Sequence, residues 1–388
     1  MRLPHPLSHR HPRVLPGGPA PGGQGGRPLR GMHSGLGPEQ GYHTPTGAPR
    51  VRALVAFLGG VLAATAAACG SVPAPGFRGV VKIGLVAPFS GPEWSVGYEA
   101  LFAARAAVNR WNLEDRGRGL RAELVAEDDR STAEFGRLQA EKLAADPRIV
   151  GAVGHPSWAS LSAAAPVYRQ AGLGLVNYWV PALPTDGPVY YLAPPWSRFE
   201  TAAAQQLGPT GRLVVSFDPN ACPWVGPGHG AGGNFPVAYL GAAPNPGGLP
   251  PGTEGVLICA DGITAARWAS TLGQAGQPAA LFLGPPAYSL GLRNLLGSAR
   301  AAVLVPTWRL PADEFQAFAA GFRNAGGGEP GPAAVGAYQA TRLILRAVEQ
   351  AAADGGWPDR DRVRAALQTL SPGGDLDRAE VGFISPGL

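Results

Sequence analysis

The sequence has few of the side chains that bind metal ions. It contains three cysteines and seven histidines in 388 residues, and only His155 and His229 lie beyond residue 68. Neither histidine has the spacing from cysteine or acidic residues that is typical of a zinc site. The acidic run Glu127-Asp128-Asp129 follows a predicted strand, where acidic residues commonly begin a turn. We therefore expect no metal and no cofactor.

A basic surface is also lacking, although the formal net charge is +5. Seven arginines and one glutamate lie before residue 69, and the rest of the chain holds 25 basic and 26 acidic side chains. Only two of those basic residues are lysines. Because nucleic-acid binding requires a basic patch, this balance argues against a nucleic-acid partner.

Long apolar runs are absent. The candidate at residues 53–68 has 16 residues, fewer than the roughly 20 that a membrane-spanning helix needs. Arg50 and Arg52 precede it and small residues follow it, an order typical of a secretory signal peptide. Residues 1–50 are rich in proline, glycine, histidine and arginine without apolar periodicity. We interpret residues 1–68 as a disordered leader plus a signal peptide, with translation starting at Met1, Met32 or Val51.

The residues that end this segment resemble the lipobox of bacterial lipoproteins, Ala66-Ala67-Ala68-Cys69. The resemblance implies that Cys69 carries a lipid and becomes the mature N-terminus. Ala66 stands where leucine is usual, so ordinary signal cleavage before Cys69 remains open. The expected location is extracytoplasmic, either lipid-anchored to the cell membrane or secreted into the periplasm.

Two cysteines remain, Cys222 and Cys259, each close to the end of a predicted strand. In an exported chain such a pair predicts one disulfide, although two unpaired thiols remain the alternative. Closing this loop would stabilise the fold by roughly 4 kcal/mol in the chain-entropy treatment.

One stretch, residues 149–179, shows the alternation of strand and helix on which the rest of the chain is built. Apolar residues 149–153 predict a buried parallel strand, which Gly154-His155-Pro156 ends. Ser157 and Ser160 are candidates to cap the alanine-rich helix that follows. A turn from strand to helix presents free N–H groups and partial positive charge, so it suits a small anionic or polar ligand.

The same alternation before and after this stretch predicts a doubly wound α/β protein with two lobes. Breaks rich in proline suggest that the chain crosses between lobes near residues 189–195 and again at Gly284-Pro285-Pro286. We expect the second lobe to be abbreviated, because residues 219–234 are too rich in glycine and proline for a crossover helix. The predicted boundaries are 80–193 and 286–372 for the first lobe, and 194–285 and 373–388 for the second.

Four segments, VKIGLVAPFSGP, GHPSWASLSAAAPVYRQAG, YYLAPPWS and GAYQATRLILRAV, resemble the type 1 periplasmic binding proteins. The nearest branch is the leucine/isoleucine/valine-type substrate-binding protein of ABC importers, and the similarity covers about residues 80–383. It implies two Rossmann-like lobes joined by a three-stranded hinge, which close on a small-molecule ligand. It also implies docking on an ABC permease in the membrane, and we expect a monomer that is not an enzyme.

The resemblance also indicates where a ligand would bind. Family members hold an amino-acid carboxylate on the loop after the third strand and an ammonium on an acid in the second lobe. Pro286 stands at that acid's position, so Asp218 or Asp261 would have to substitute, and the usual amino-acid ligand is in doubt. Val96 is an alternative to Trp94 for the aromatic position after the first strand. The predicted ligand-binding residues are Trp94, Ser157, Trp158, Ser160, Asn177, Tyr178, Trp179, Asp218, Trp224 and Asp261.

Other functions have less support. A sensory or regulatory receptor would use the same fold without transport, and a degenerate pair of lobes would bind nothing. Gly228, Gly230 and Gly233 match a dinucleotide motif, but no helix follows them. An enzyme would need a nucleophile, yet Ser157 and His155 should point apart across their turn, and no orienting acid is evident.

Overall fold

The computed structural model describes residues 76–183, 187–208, 210–226, 237–241, 245–276, 279–289, 291–370 and 379–385. The predicted leader and signal peptide at 1–68, the lipidation site Cys69 and the glycine motif at 228–233 lie outside these ranges. Among the described residues, no helix is both long and apolar enough to span a bilayer.

The first lobe is built on a parallel sheet of five strands in the order β2-β1-β3-β4-β5. Every residue of β3 and β4 is buried, because helices cover both faces of the sheet. The side chains of β3 enter two different cores: Val150 and Val153 face one, and Ile149 and Ala152 face the other, with a register shift against β1 between Ile149 and Gly151. The strands are β1 Gly79–Ala87, β2 Leu120–Asp128, β3 Ile149–Gly154, β4 Gly174–Asn177 and β5 Val189–Tyr191.

Six helices complete the first lobe. Two of them pack together on one face of the sheet, and the other four form the opposite layer, in which the two longest helices lie side by side. The pair is α2 Ala133–Ala145 and α3 Trp158–Gln170. The opposite layer holds α1 Trp94–Leu113, α7 Ala312–Asn324, α8 Pro332–Ala351 and α9 Arg360–Leu370.

The second lobe has a sheet of six strands in the order β11-β10-β9-β8-β6-β7, all parallel except β11. Its strands are β6 Arg212–Phe217, β7 Val237–Leu240, β8 Thr253–Cys259, β9 Ala280–Leu283, β10 Ala302–Thr307 and β11 Glu380–Ile384. Its helices are α4 Trp196–Leu207, α5 Gly262–Gln274 and the short α6 Leu292–Leu296. Residues 218–226, which follow β6, contain turns and no helix. The predicted fold class, α/β with two parallel-sheet lobes, is confirmed.

Both sheets place their first and third strands side by side, with the second strand beyond the first. At such a switch point the connections leave the strands in opposite directions and open a crevice at the carboxyl ends. The first lobe has this crevice between β1 and β3, and the second has it between β6 and β8. The fold therefore predicts two facing crevices.

The predicted boundary at residues 285/286 is wrong. Residues 285–287 form a 3-10 turn, and the backbone N–H of Gly284 donates to Ile258 O of β8 at 2.8 Å. The chain then continues through α6 into β10, which pairs with β9. It crosses to the first lobe only between β10 and α7. The two prolines end a strand but do not change the lobe, because long-range strand pairing keeps the segment on the second sheet.

A disulfide joins Cys222 to Cys259, as predicted, with 6.1 Å between the two Cα atoms. Cys259 ends β8, and Cys222 lies in the loop that follows β6. The bond therefore fastens residues 218–226, hereafter the β6 loop, to the carboxyl end of the neighbouring strand.

We expect replacement of both cysteines by alanine to lower the free energy of unfolding by about 4 kcal/mol in the chain-entropy treatment. Urea unfolding of the chain from residue 69, with Cys69 replaced, measures this change. Reduction of the unsubstituted chain is the matched control and should have the same effect. Equal unfolding midpoints for the oxidised, reduced and substituted chains would contradict the expectation.

Candidate functional site

A cavity of about 110 Å³ lies where the carboxyl ends of the two sheets face each other. This is below the roughly 300–1,000 Å³ of pockets that enclose drug-sized ligands, so it suits a smaller molecule. The first lobe contributes Glu93, Val96, Ser131, Pro156, Ser157, Trp158, Ala159, Trp179, Val180 and Pro181, and the second contributes Ala221, Trp224, Asp261, Pro286 and Tyr288.

The turn between β3 and α3 forms the polar part of the first wall. Ser157 caps α3, because its Oγ accepts a hydrogen bond from the N–H of Ser160 at 3.3 Å. The first N–H groups of α3 therefore lie beside the cavity with their partial positive charge. Gly154 has φ of 144°, and a Cβ there would come within 2.0 Å of Val86 O. Only glycine fits the start of this turn.

A fully buried hydrogen-bond network supports the turn from behind. The hydroxyl of Ser160 donates to Asp129 Oδ2 at 2.5 Å, and His155 Nδ1 lies 2.6 Å from Ser160 Oγ. His155 Nε2 lies 2.8 Å from the hydroxyl of Tyr168. A neutral imidazole protonated on Nδ1 satisfies all three bonds, since Ser160 then accepts from His155 and Tyr168 donates to Nε2. Burial, and secondarily the charge of Asp129, raises the pKa of Tyr168 well above its usual value.

This network is structural rather than catalytic. Asp129, Ser160 and His155 include the residue types of a catalytic triad, but each is fully buried. The serine also lies between the acid and the histidine, whereas a nucleophilic triad needs the histidine in the middle. Ser160, predicted to bind the ligand, instead faces the interior and holds the turn.

Two further predicted ligand-binding residues are buried beneath the cavity. Asn177 donates from Nδ2 to the carbonyls of Gly154 and His155, both at 2.9 Å. Its Oδ1 accepts from the N–H groups of Trp179 and Val180, at 3.1 and 2.9 Å. It thus joins the β3 turn to the segment that carries Trp179. The adjacent Tyr178 is fully buried in the core and does not line the cavity.

The second wall comes from the β6 loop, the start of α5 and the segment after β9. Asp261 caps α5, because its Oδ1 accepts from the N–H groups of Ile263 and Thr264 at 3.0 and 3.1 Å. Trp224 is 4 % exposed, and its indole N–H has no partner among the described residues. A buried donor without a partner is costly, and this nitrogen has no accessible surface, so it is not open to the cavity in the closed arrangement.

Aromatic side chains of the two lobes meet around the cavity. The rings of Trp158 and Trp224 lie 5.4 Å apart edge to face, and those of Trp179 and Tyr288 also lie 5.4 Å apart. The indole N–H of Trp179 donates to Pro285 O at 3.3 Å. These contacts join residues of both lobes across the crevice, so the structure shows the lobes closed on each other.

Two carboxyl groups near the cavity titrate above their usual range. Burial raises the pKa of Glu93 to about 7, the charges of Asp129 and Asp261 add to the rise, and a hydrogen bond from Ser131 opposes it. Burial raises the pKa of Glu99 to about 6, although Tyr288 and the N–H of Ala334 donate to it. Tyr288 lies in the second lobe, so its bond to Glu99, 2.9 Å long, also joins the lobes.

The structure thus brings together Ser157, Trp158, Trp179, Trp224 and Asp261. Trp94 does not line the cavity; it is 49 % exposed and meets Tyr98 edge to face. Asp218 does not line it either, since its Oδ1 accepts from the N–H of Asn220 within the β6 loop.

Sequence reasoning missed Glu93, Ser131 and Tyr288. Glu93 directly precedes Trp94, and Tyr288 lies two residues beyond Pro286. The positions expected from the sequence therefore differ from the lining residues by one or two.

Among the described residues, no group of three or more histidine, cysteine, aspartate or glutamate side chains is arranged to hold a metal ion. None of the described residues that line the cavity is lysine, arginine or histidine. The chemistry available there consists of aromatic faces, two carboxyl groups and two serine hydroxyls.

We expect Ser160→Ala to lower the free energy of unfolding by about 1–3 kcal/mol, because Asp129 and His155 would lose a partner while remaining buried. Urea unfolding measures the change. Ser162→Ala on the same helix is the control, since Ser162 is exposed, and its effect should stay within about 0.5 kcal/mol. Equal losses in the two variants would show that the buried network does not stabilise the turn.

Several solved structures share this fold. The leucine binding protein LivK from Thermotoga maritima has a TM-score of 0.62 and 18% identity, covering 78% of this chain and 97% of that one. The branched-chain amino acid transporter substrate binding protein LivJ from Streptococcus pneumoniae, in complex with isoleucine, has a TM-score of 0.58, 14% identity and coverages of 79% and 100%.

A third similar structure is a solute binding protein of an ABC transporter from R. palustris, in complex with 4-hydroxybenzoate. It has a TM-score of 0.56 and 15% identity, and the match covers 74% of this chain and 84% of that one. At these identities the likeness of all three structures shows the fold alone.

The sequence profile of the family described as periplasmic binding protein matches residues 80–240 and 251–386. No curated protein sequence matches the chain significantly. The profile covers well over half of the chain, and the resemblance inferred from its motifs is confirmed. The chain belongs to the periplasmic binding protein family, and it has the type 1 fold of the similar structures.

Proposed function

We propose that this protein is the extracytoplasmic solute-binding component of an ABC importer and captures a small polar, amino-acid-like or aromatic molecule by hinge closure. The observation that carries the proposal is the enclosed cavity between the strand ends of the two lobes, with aromatic side chains from both lobes in contact around it. A family of extracytoplasmic solute-binding proteins supplies the context.

A ligand would favour closure because each lobe contributes part of the cavity wall. A ligand in it contacts Ser157 and Trp158 of the first lobe and Trp224 and Asp261 of the second. Only the closed arrangement makes both sets of contacts, so the ligand shifts the population toward closure by its difference in affinity for the two states. Micromolar affinity corresponds to about −8 kcal/mol, which a few such contacts supply.

The polar groups suggest how a ligand lies in the cavity. Ser157 and the first N–H groups of α3 suit an acceptor or anionic group. The carboxyl groups of Glu93 and Asp261 suit a donor or cationic group. The structures with isoleucine and 4-hydroxybenzoate bound indicate amino-acid-like and aromatic molecules as the first classes to test.

Binding without chemical change fits the side chains present. Among the described residues that line the cavity, Ser131 and Ser157 are the only serines, and none is a histidine that could act as a base. Ser131 donates to Glu93, and Ser157 caps α3. In this proposal a lipid on Cys69 keeps the monomeric protein at the membrane, where the closed form docks on its permease.

We expect Trp224→Ala to weaken ligand binding roughly 30-fold, because a central aromatic side chain at an interface contributes about 2 kcal/mol or more. The chain from residue 69, with Cys69 replaced, is first screened by thermal shift against amino acids, amides, short carboxylic acids and aromatics. A ligand at 100 times its Kd adds about 2.7 kcal/mol of stability. Titration calorimetry then compares the variants.

Trp94→Ala is the matched control, since this tryptophan lies outside the cavity, and its affinity should equal that of the unsubstituted chain. Small-angle scattering should also show a more compact particle when ligand is added. No thermal shift and no compaction across the panel, or equal losses in the Trp94 and Trp224 variants, would refute the proposed site.

A further inference from the structure

Aromatic rings dominate the walls of the cavity. Trp158 and Trp179 come from the first lobe, and Trp224 and Tyr288 come from the second. They form two contacting pairs, each with ring centroids 5.4 Å apart. The faces of such rings carry negative electrostatic potential and attract cations, most strongly in tryptophan.

The charges at the cavity have one sign. Glu93 and Asp261 line it, and the described lining residues include no basic side chain. Asp129 lies close enough to Glu93 to raise its pKa, although Asp129 itself is bound in the network behind the turn. Burial disfavours the ionised form of Glu93, and a cationic ligand beside it would relieve that cost.

We propose that the ligand is a small organic cation whose alkylated ammonium group lies among Trp158, Trp179, Trp224 and Tyr288, with Glu93 and Asp261 as counter-charges. This inference rests on the proposed solute-binding function and specifies its substrate class.

An alkylated ammonium group fits the few hydrogen-bond acceptors that remain at the cavity. A primary ammonium presents three N–H donors. Ser131 donates to Glu93 Oε2 and two backbone N–H groups donate to Asp261 Oδ1, which leaves one oxygen of each carboxyl group to accept from the ligand. An alkylated ammonium has fewer donors or none. Its charge is spread over methyl groups, which aromatic faces accommodate without hydrogen bonds.

Binding of a cation at this site is coupled to the release of a proton. In the free protein burial holds the pKa of Glu93 near 7, with Asp129 and Asp261 acting in the same direction and the hydroxyl of Ser131 against it. A cation beside Glu93 lowers this pKa, so binding near neutral pH releases a proton. Affinity for a cation therefore strengthens as pH rises toward 7 and levels off above it, whereas a neutral or anionic ligand shows no such gain.

The test is titration calorimetry between pH 5.5 and 8.5, in two buffers of different ionisation enthalpy, on the chain from residue 69 with Cys69 replaced. The probes are choline, glycine betaine and 3,3-dimethylbutan-1-ol, which has the shape of choline with carbon in place of the charged nitrogen. We expect choline, a cation, or glycine betaine, a zwitterion with the same trimethylammonium group, to bind at least 30-fold more tightly than the neutral alcohol. The Kd of that ligand should fall up to tenfold per pH unit below pH 7.

Glu93→Gln should weaken the cation and remove the proton release while leaving the melting temperature of the free protein similar or higher. Glu134→Gln, an exposed carboxyl on α2, is the control and should change neither. If the neutral alcohol, leucine or 4-hydroxybenzoate binds as tightly as the tighter of choline and glycine betaine, the cation inference is overturned and solute binding stands. If no probe and no member of the wider panel binds, the proposed function fails as well.

Discussion

The candidate site depends on a network of hydrogen bonds between fully buried groups. The turn after β3 has glycine and histidine at positive φ, and its shape persists because Asn177 bonds two of its carbonyls while Ser160 and His155 engage Asp129 behind it. A satisfied buried network of this kind rigidifies one local geometry. The rest of the first wall follows from it, since the same Asn177 also orients the segment that carries Trp179.

The second wall is held in another way. Asp261 is fixed by the helix that it caps and Trp224 by a covalent cross-link two residues away, whereas Tyr288 bonds Glu99 of the opposite lobe and is held in this way only in the closed arrangement. In the proposed closure, the parts of each wall that are fixed within their own lobe would move as preformed surfaces. Affinity is then less reduced by ordering costs, because few side chains need to be immobilised when the ligand arrives.

The lobes and most elements could be predicted from sequence, because apolar runs and turn residues are local signals. Pairing of β10 with β9 is a long-range contact, so Gly284-Pro285-Pro286 was mistaken for a crossing. At the site, local pattern located the loops but not the direction of side chains: Ser160 faces inward and Trp94 outward, while Glu93 faces the cavity. The direction of a side chain is set by the helix phase and by partners far along the chain, such as Asp129 for Ser160 and Ser131 for Glu93.

The cross-link between Cys222 and Cys259 has a consequence for the shape of the cavity. Disulfides form and persist outside the reducing cytosol. Without this bond the β6 loop would be held by backbone bonds, such as that from Cys222 N to Asp218 O at 2.8 Å, and by the packing of Trp224 and Val225 in the core. Trp224 would then be less firmly positioned, so the shape of the second wall of the cavity depends on the disulfide having formed.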